Sequence, residues 1–190
     1  WVLCAGCAWG VYNAGYVVYL SFGPKILESQ GYSVLSAAGT ISIASWLMIV
    51  SFALCGYIAD RFGYRSAILA ICMMSAVLSL LLLSVPGAGL ASSVLFGLVG
   101  FAPAGLIMAL AGEAMRPEQR AFGMGVFFTI YYAIMLATPT AAGAILDTTG
   151  QAQGPIWLAM ILFASVVPFA VAFQFYKAGS DKVSERASSS

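Results

Sequence analysis

The sequence predicts an all-α integral membrane protein, and three observations lead to that fold class. The chain of 190 residues is 62% hydrophobic and only 8% charged, whereas soluble domains carry about a quarter charged residues. Its apolar residues form six runs, each of about the twenty residues that a helix needs to cross a bilayer. The lengths of these runs, and their lack of strict polar–apolar alternation, favour helices over the strands of a membrane barrel.

The six predicted spans are separated by breaks rich in glycine and proline, which end or bend helices. Examples are Gly23-Pro24, Pro86-Gly87 and Gly154-Pro155. One helical bundle is expected over 1–178, and a charged, serine-rich tail over 179–190 is expected to be disordered. The spans themselves are placed at 1–22, 34–58, 66–85, 90–113, 121–146 and 155–177.

Composition also argues against several classes of function. The formal net charge of +1 gives no electrostatic reason to expect a nucleic-acid partner. The chain has no histidine, which is the commonest general base and metal ligand, and its four cysteines are too few and scattered for a disulfide framework. Since no catalytic constellation is present, we expect neither an enzyme nor a metal or cofactor site.

The most informative stretch joins spans two and three and reads G-x-x-x-D-R-x-G-x-R. Its charged residues are Asp60, Arg61 and Arg65, which we expect at a water-facing turn because charges at bilayer depth cost several kcal/mol. Gly56 and Gly63 bracket the turn, where the absence of a Cβ permits close packing and a positive φ.

This pattern closely resembles the loop signature of the major facilitator superfamily of secondary transporters, in which it lies between the second and third helices of each six-helix half. The resemblance covers nearly the whole chain. It implies one six-helix half of a twelve-helix transporter, built from inverted three-helix repeats and working by alternating access around a midplane site. The implied partners are a small-molecule substrate, the lipid bilayer and the other half of the polypeptide.

Three features favour the C-terminal half, with the N-terminal half as the missing one. A polar segment follows span six, the chain starts at Trp1 without a methionine, and span four lacks the arginine usual in the fourth helix of N-terminal halves. In addition, the run W-G-V-Y-N-A-G-Y-V-V in span one resembles the cyanate-permease-type branch of the family.

An internal match supports the inverted repeat. Residues 56–63 and 143–150 both read G-x-I-x-D-x-x-G, and each segment closes the second helix of a three-helix set. The loop charges place the two segments on opposite sides of the membrane. An inverted repeat of three helices leaves this kind of pattern.

Positive charges predict the orientation. They follow spans two, four and six, whereas the opposite loops hold only Lys25. By the positive-inside rule, we expect the loops between spans two and three and between spans four and five to be cytoplasmic, together with the tail. The expected membrane is the plasma (bacterial inner) membrane.

The loop after span four carries an acid followed by P-x-x-R, which resembles the matching loop of many family members. The resemblance implies that Glu113 and Arg120 form a cytoplasmic charge cluster with the D-R motif that holds this side shut. The alternative is a solvated loop whose charges only set topology. Asp60 is further expected to reach the start of a helix in the missing half and to stabilise one gating state.

A polar and aromatic stripe marks span one, where Trp9, Tyr12, Asn13 and Tyr16 recur at helical spacing. Three of them lie near mid-depth, where hydrogen-bonding groups need partners. We expect this face to line the substrate cavity, although an interfacial belt or bundle packing is the alternative. The resemblance extends the cavity wall to span five, with Tyr131 and Tyr132.

Span four contains Gly97, Gly100, Pro103 and Gly105 in one stretch. Proline removes a helical hydrogen bond and glycine admits close neighbours, so the stretch predicts either a gating kink or close helix packing.

The predicted function is transport of a small solute, with a small organic or inorganic anion as the candidate substrate. The cavity face is aromatic and hydroxyl-bearing, and this half has no mid-membrane charge, so a substrate charge would be met in the other half. The alternatives are a drug or metabolite exporter of the same superfamily, and a non-transporting membrane sensor or scaffold with the same fold.

Overall fold

The computed structural model describes residues 2–113, 115 and 119–188, with the side chains of 111, 113 and 176–188 outside that description. These residues form helices and short turns, and no strand occurs among them. In chain order the helices are α1 (Val2–Ser29), α2 (Val34–Phe62), α3 (Arg65–Leu83), α4 (Gly89–Leu95), a π-helical segment (Phe96–Gly100), α5 (Ala104–Glu113), α6 (Arg120–Thr149) and α7 (Gln153–Ser188). We call α4, the π-helical segment and α5 together span four.

Five helical segments in the described part of the chain are long and apolar enough to cross a membrane. They are α2, α3, Gly89–Leu110, α6 and Gln153–Phe175. The first predicted span, now α1, is not among them, although it has 28 residues. Its tyrosines, glycines and Asn13 lower its mean hydropathy. The predicted disordered tail, 179–190, overlaps the helical backbone of α7 up to Ser188.

Helix α1 lies between α6 and α7, which approach it closely at glycines. A Cβ at Gly6 would lie 3.3 Å from Ile130, and one at Gly10 would lie 2.6 Å from Ile134. Since both residue numbers rise together, α1 and α6 run parallel. On the other side, Gly15 faces the ring of Phe163 on α7 at 2.9 Å. The first helix is therefore the centre of the bundle. It is less apolar than the membrane-length helices around it.

Helix α2 runs antiparallel to α1, because Gly23 faces Ile41 whereas Tyr16 pairs with Ser45. It follows that α2 and α6 also run in opposite directions. The two helices end in the same way, at a left-handed glycine. Gly63 has φ 72° and Gly150 has φ 64°, and each donates its N–H to the carbonyl four residues before it.

This geometry is a helix cap that glycine adopts without strain. The two matching octapeptides therefore form equivalent helix ends at opposite ends of the bundle. The wider inverted repeat stays a prediction.

Span four is interrupted between Gly100 and Ala104. The N–H of Phe101 bonds to the carbonyl of Phe96, five residues back, and Pro103 has no N–H to donate. The same stretch is packed closely: a Cβ at Gly97 would lie 2.6 Å from the Ala44 carbonyl oxygen on α2. A Cβ at Gly100 would lie 2.9 Å from the Cα of Ala76 on α3.

Gly97 and Gly100 thus permit close packing, and the helix is also broken there. Span four lies between α2 and α3 as a result. A gating role for the break remains a prediction.

The bundle covers its helices unequally. Within an apolar stretch of 18 residues in each span, 50% of the residues are buried in span four, against 22% in α2 and 11% in α6. Large apolar side chains are exposed on both, including Trp46 on α2 and Leu136 on α6. A row of small residues on α6 is exposed as well, namely Ala133, Ala137 and Ala141. These faces contact little else in the described chain.

Candidate functional site

The predicted stripe on α1 divides into two faces. Trp9, Asn13 and Tyr16 are partly buried and lie four and three residues apart, on the side of α1 that the bundle leaves partly open. Tyr12 is fully buried, as is Tyr19. We call these the open face and the closed face of α1.

Both tyrosines of the closed face bind span four. The Tyr12 hydroxyl donates to the carbonyl of Phe101 at 2.7 Å, and its ring stacks on the Phe101 ring with centroids 4.4 Å apart. The Tyr19 hydroxyl pairs with Ser93 Oγ at 3.1 Å, and its ring stacks on Phe96 at 4.2 Å. A broken helix inside a membrane needs partners for its backbone carbonyls, and Tyr12 supplies one at the break.

The open face offers hydrogen-bonding groups that the chain does not fully use. Asn13 donates from Nδ2 to the Trp9 carbonyl at 2.9 Å, whereas its Oδ1 accepts no hydrogen bond from the described residues. The Tyr16 hydroxyl pairs with Ser45 Oγ on α2 at 2.9 Å. Because one hydroxyl hydrogen serves that bond, the other is available to a ligand. We call Trp9, Asn13, Tyr16 and Ser45 the polar patch.

The predicted residues on α6 form a separate aromatic group. The ring centroids of Tyr131 and Tyr132 lie 4.9 Å apart, and Phe128 packs against both. Tyr132 is 63% exposed. Within the described residues, no hydrogen bond engages either hydroxyl and no ring contact joins the pair to α1. A shared cavity wall of Tyr131, Tyr132 and the polar patch therefore stays a prediction.

The charged turn between α2 and α3 lies at the bundle surface. Arg65 Nη2 donates to Asp60 Oδ1 at 3.2 Å, with the Asp60 side chain 76% exposed. Arg61 is also exposed. An ion pair this exposed contributes at most about 1 kcal/mol. A Cβ at Gly56 would meet no atom within 4 Å, so the close packing expected at Gly56 does not occur among the described residues.

The predicted charge cluster of Glu113 and Arg120 lies only partly within the described residues. Glu113 ends α5, but its side chain lies outside the described part, as do residues 114 and 116–118. Arg120 begins α6 and is exposed. It lines a groove of about 490 Å³ between α5 and α6, with Met108, Gly112, Ala121 and Met124.

Sequence reasoning missed two partners of the tyrosines. Ser45 holds Tyr16, and Phe101 lies between the rings of Tyr12 and Tyr16. Ser45 was visible as a polar residue in span two, and antiparallel pairing of spans one and two would have placed it near Tyr16. Pro103 indicates a bend in span four, but the sequence does not show that the Phe101 carbonyl is the one left free. Among the described residues, no group of three or more acidic, cysteine or histidine side chains could hold a metal ion.

Apolar helices of membrane length, packed around a polar and aromatic central helix, define an integral membrane protein. The family model of the Major Facilitator Superfamily matches residues 2–189. The chain therefore belongs to this superfamily, whose members are membrane transporters rather than enzymes. No curated protein matches the chain.

Proposed function

We propose that this chain is one six-helix half of a secondary transporter that carries a small solute across the plasma membrane by alternating access. Membership of the superfamily supports transport. The observation that carries the proposal is the polar patch, which presents unused hydrogen-bonding groups near the middle of the central helix. Such groups at membrane depth are retained where they meet water, another helix or a substrate.

We propose that α1 also crosses the membrane, which brings the number of spans to six. Its length of 28 residues exceeds what a bilayer requires. It runs parallel to α6 and antiparallel to α2, as alternating spans do. A helix enclosed by its neighbours is shielded from lipid, so a lower hydropathy is compatible with crossing the membrane.

The other half of the transporter would cover α2 and α6. Both helices expose wide apolar faces, and the exposed alanines of α6 leave room for close approach of another helix. We take the missing half to be the N-terminal one and this chain to be the C-terminal half. The equivalent glycine ends of α2 and α6 favour the inverted repeat.

The loops after α2 and after span four, together with the C-terminal end, would face the cytoplasm because they carry the positive charges. In this arrangement the D-R motif, Glu113 and Arg120 act in gating. Asp60 already pairs with Arg65, yet its exposed carboxylate can still approach a helix N-terminus in the other half.

A small organic or inorganic anion suits the polar patch as substrate. The indole N–H of Trp9 and the unused hydroxyl hydrogen of the Tyr16–Ser45 pair are donors, and donors are what an anion requires. Its charge would be met in the other half, since the described spans hold no mid-membrane cation. The resemblance of span one to the cyanate-permease-type branch also favours a small anion as substrate.

Uptake by the intact transporter in proteoliposomes tests the proposal. Radiolabelled small carboxylates and inorganic anions, cyanate among them, would be compared for saturable entry. Ser45→Ala and Tyr16→Phe should raise KM several-fold for the transported anion, because each removes a hydroxyl of the polar patch.

Ser165→Ala is the control variant. The Ser165 hydroxyl bonds to the carbonyl of Leu162 at 2.7 Å within α7, a helix that contributes nothing to the polar patch, so uptake by this variant should equal that of the unmodified protein. Saturable entry with no change in either polar-patch variant would remove this face from the site. Absence of saturable entry for every anion tested would reject the anion class.

A further inference from the structure

A groove opens between α5 and α6 at the same end of the bundle as the charged turn. Its volume of about 490 Å³ falls within the range of about 300–1,000 Å³ for small-molecule sites in proteins. The residues that line it are Met108, Gly112, Arg120, Ala121 and Met124. Among these described residues Arg120 alone is charged, so the groove combines one guanidinium with an apolar wall.

The composition of this wall fits an organic anion with a short apolar body. A guanidinium presents parallel N–H groups that match a carboxylate, and such charge-assisted hydrogen bonds are stronger than those of neutral donors. The flexible thioether side chains of Met108 and Met124 can pack against hydrocarbon groups of different shape. An inorganic anion would use the guanidinium but would gain little from the apolar wall.

Arg120 begins a row of side chains along one side of α6. The row consists of Arg120, Met124, Phe128 and Tyr132, which follow one another at intervals of four residues and therefore neighbour one another on the helix surface. The rings of Phe128 and Tyr132 are stacked, with centroids 6.2 Å apart. We call these four residues the α6 row.

The far end of the α6 row lies at the level of the polar patch. Gly10 on α1 faces Ile134 on α6, and the two helices run parallel, so Trp9 lies about level with Tyr132. Arg120 is twelve residues before Tyr132, which corresponds to about 18 Å at the helical rise of 1.5 Å per residue. The α6 row therefore extends from the groove to the depth of the patch.

A small apolar cluster also joins the groove to the polar patch. Trp9 of the patch, Met108 of the groove and Phe128 of the α6 row all pack against one buried cluster that is formed by α1, α6 and α7. The groove and the patch therefore border the same part of the bundle.

We propose that this groove is a subsite for a small organic carboxylate at the cytoplasmic end of the transport path. Arg120 binds the carboxylate, and Met108 and Met124 contact its apolar body. The inference rests on the proposed function and narrows its substrate from small anions in general to organic carboxylates. At mid-depth the charge of the substrate is met in the other half, and at the cytoplasmic end Arg120 meets it.

Protection of an introduced cysteine tests the subsite by binding alone. In the intact transporter in detergent, Ala121→Cys places a thiol on the wall of the groove at an exposed position. The chain's own cysteines all precede α6, so mass spectrometry of a fragment that begins in α6 follows the labelling of the new thiol by N-ethylmaleimide. Butyrate should slow this labelling several-fold, whereas its neutral isostere butyramide should leave the rate unchanged.

Phe122→Cys is the matched control. Residue 122 is the next one on the helix and is 79% exposed, but it does not line the groove. Its labelling by N-ethylmaleimide should be the same with and without butyrate.

Substitutions of Arg120 in the Ala121→Cys protein test the guanidinium. Arg120→Gln should raise the butyrate concentration that gives half-maximal protection by about tenfold or more, as expected for the loss of charge-assisted hydrogen bonds. Arg120→Lys keeps the charge without the planar fork and should give an intermediate value.

Gly112→Leu tests the apolar wall and keeps the charge. A Cβ at Gly112 would meet no described atom within 4 Å, so the fold has room for a side chain there, and a leucine would occupy part of the groove. It should weaken protection by butyrate several-fold and leave the weaker protection by formate, which has no apolar body, nearly unchanged. A purely gating role of Arg120 predicts no dependence on the size of the carboxylate.

Two results would overturn the subsite. One is an equal labelling rate of Ala121→Cys with and without butyrate. The other is protection by phosphatidylglycerol and not by butyrate, which would assign the groove to an anionic lipid headgroup.

Uptake in proteoliposomes separates the subsite from the proposed function. Saturable uptake of an anion without protection by butyrate would keep transport and reject the subsite. Protection by butyrate without saturable uptake of any anion would reject the proposed anion transport, while carboxylate binding in the groove would stand by itself.

Discussion

The two faces of α1 carry the same kinds of side chain and use them differently. On the closed face, the Tyr12 hydroxyl donates a hydrogen bond to a carbonyl of span four, and Tyr12 is fully buried. On the open face, Tyr16 shares its hydroxyl with Ser45 and stays partly exposed. A hydroxyl that has its partner inside the bundle fixes a helix. A hydroxyl that keeps donor capacity at the surface of the bundle remains available to a ligand.

The difference follows from what each face meets. The closed face packs against an interrupted helix whose freed carbonyls need donors, because lipid supplies none. The open face lies next to α2 and α6, which the chain covers least. Substitutions on the closed face should therefore lower the stability of the protein, whereas substitutions on the open face should impair transport.

The largest effect is expected at Gly97 in span four. A Cβ there would lie 2.6 Å from the carbonyl oxygen and 2.8 Å from the Cα of Ala44. Backbone atoms cannot rotate away, so Gly97→Ala should force α2 and span four apart and destabilise the protein by about 1–3 kcal/mol or more. Heating the detergent-solubilised protein and measuring the monodisperse fraction by size-exclusion chromatography would show a lower apparent Tm.

Gly105→Ala is the matched control, because it lies in the same span with no atom within 4 Å of an added Cβ. Its apparent Tm should stay near that of the unmodified protein. Equal behaviour of the two variants would contradict the close packing of span four against α2.

The next effect concerns the hydroxyl of Tyr12. Tyr12→Phe keeps the ring stack on Phe101 but removes the 2.7 Å bond to its carbonyl. Leaving a buried carbonyl without a partner costs about 1–3 kcal/mol, although hydrogen bonds between membrane helices average nearer 0.6 kcal/mol. We expect a loss of about 1 kcal/mol and a lower apparent Tm in the same assay.

Tyr16→Phe sharpens the comparison, since the ring of Tyr16 also packs on Phe101 but its hydroxyl is only partly buried. Its apparent Tm should fall less than that of Tyr12→Phe. The reverse order would mean that the open face, and not the closed one, holds α1 in place.

These outcomes also define what the sequence could predict. Hydropathy indicated an all-helical membrane protein, and the charged motif indicated the family, because both depend on residue type and spacing alone. The left-handed glycine at Gly63 was predictable from its position after a helix end. The different roles of Tyr12 and Tyr16 were not predictable from the sequence, because they depend on which backbone carbonyls of span four lack a helical partner. The cluster at Glu113 and Arg120 stays a prediction.

An effect on stability comparable to that at Tyr12 is expected where α2 ends. Gly63 has φ 72°, a conformation that costs a residue with a Cβ about 1–2 kcal/mol, so Gly63→Ala should lower the apparent Tm modestly. Gly56→Ala, seven residues earlier in the helix, places a Cβ in open space and should be neutral in this chain. If Gly56→Ala lowers stability only in the intact transporter, the missing half packs against that position.

The smallest effect on stability and a clear effect on transport are expected at Asn13. Its Nδ2 bond is local, to Trp9 on the same helix, and its Oδ1 has no partner among the described residues. Asn13→Ala should therefore change the free energy of unfolding by no more than about 0.5 kcal/mol. In proteoliposomes it should lower uptake at subsaturating substrate about five- to tenfold, the equivalent of one lost hydrogen bond. An unchanged Tm with unchanged uptake would leave the open face without a function, whereas a large drop in Tm would place Asn13 with Tyr12 on the structural side of the helix.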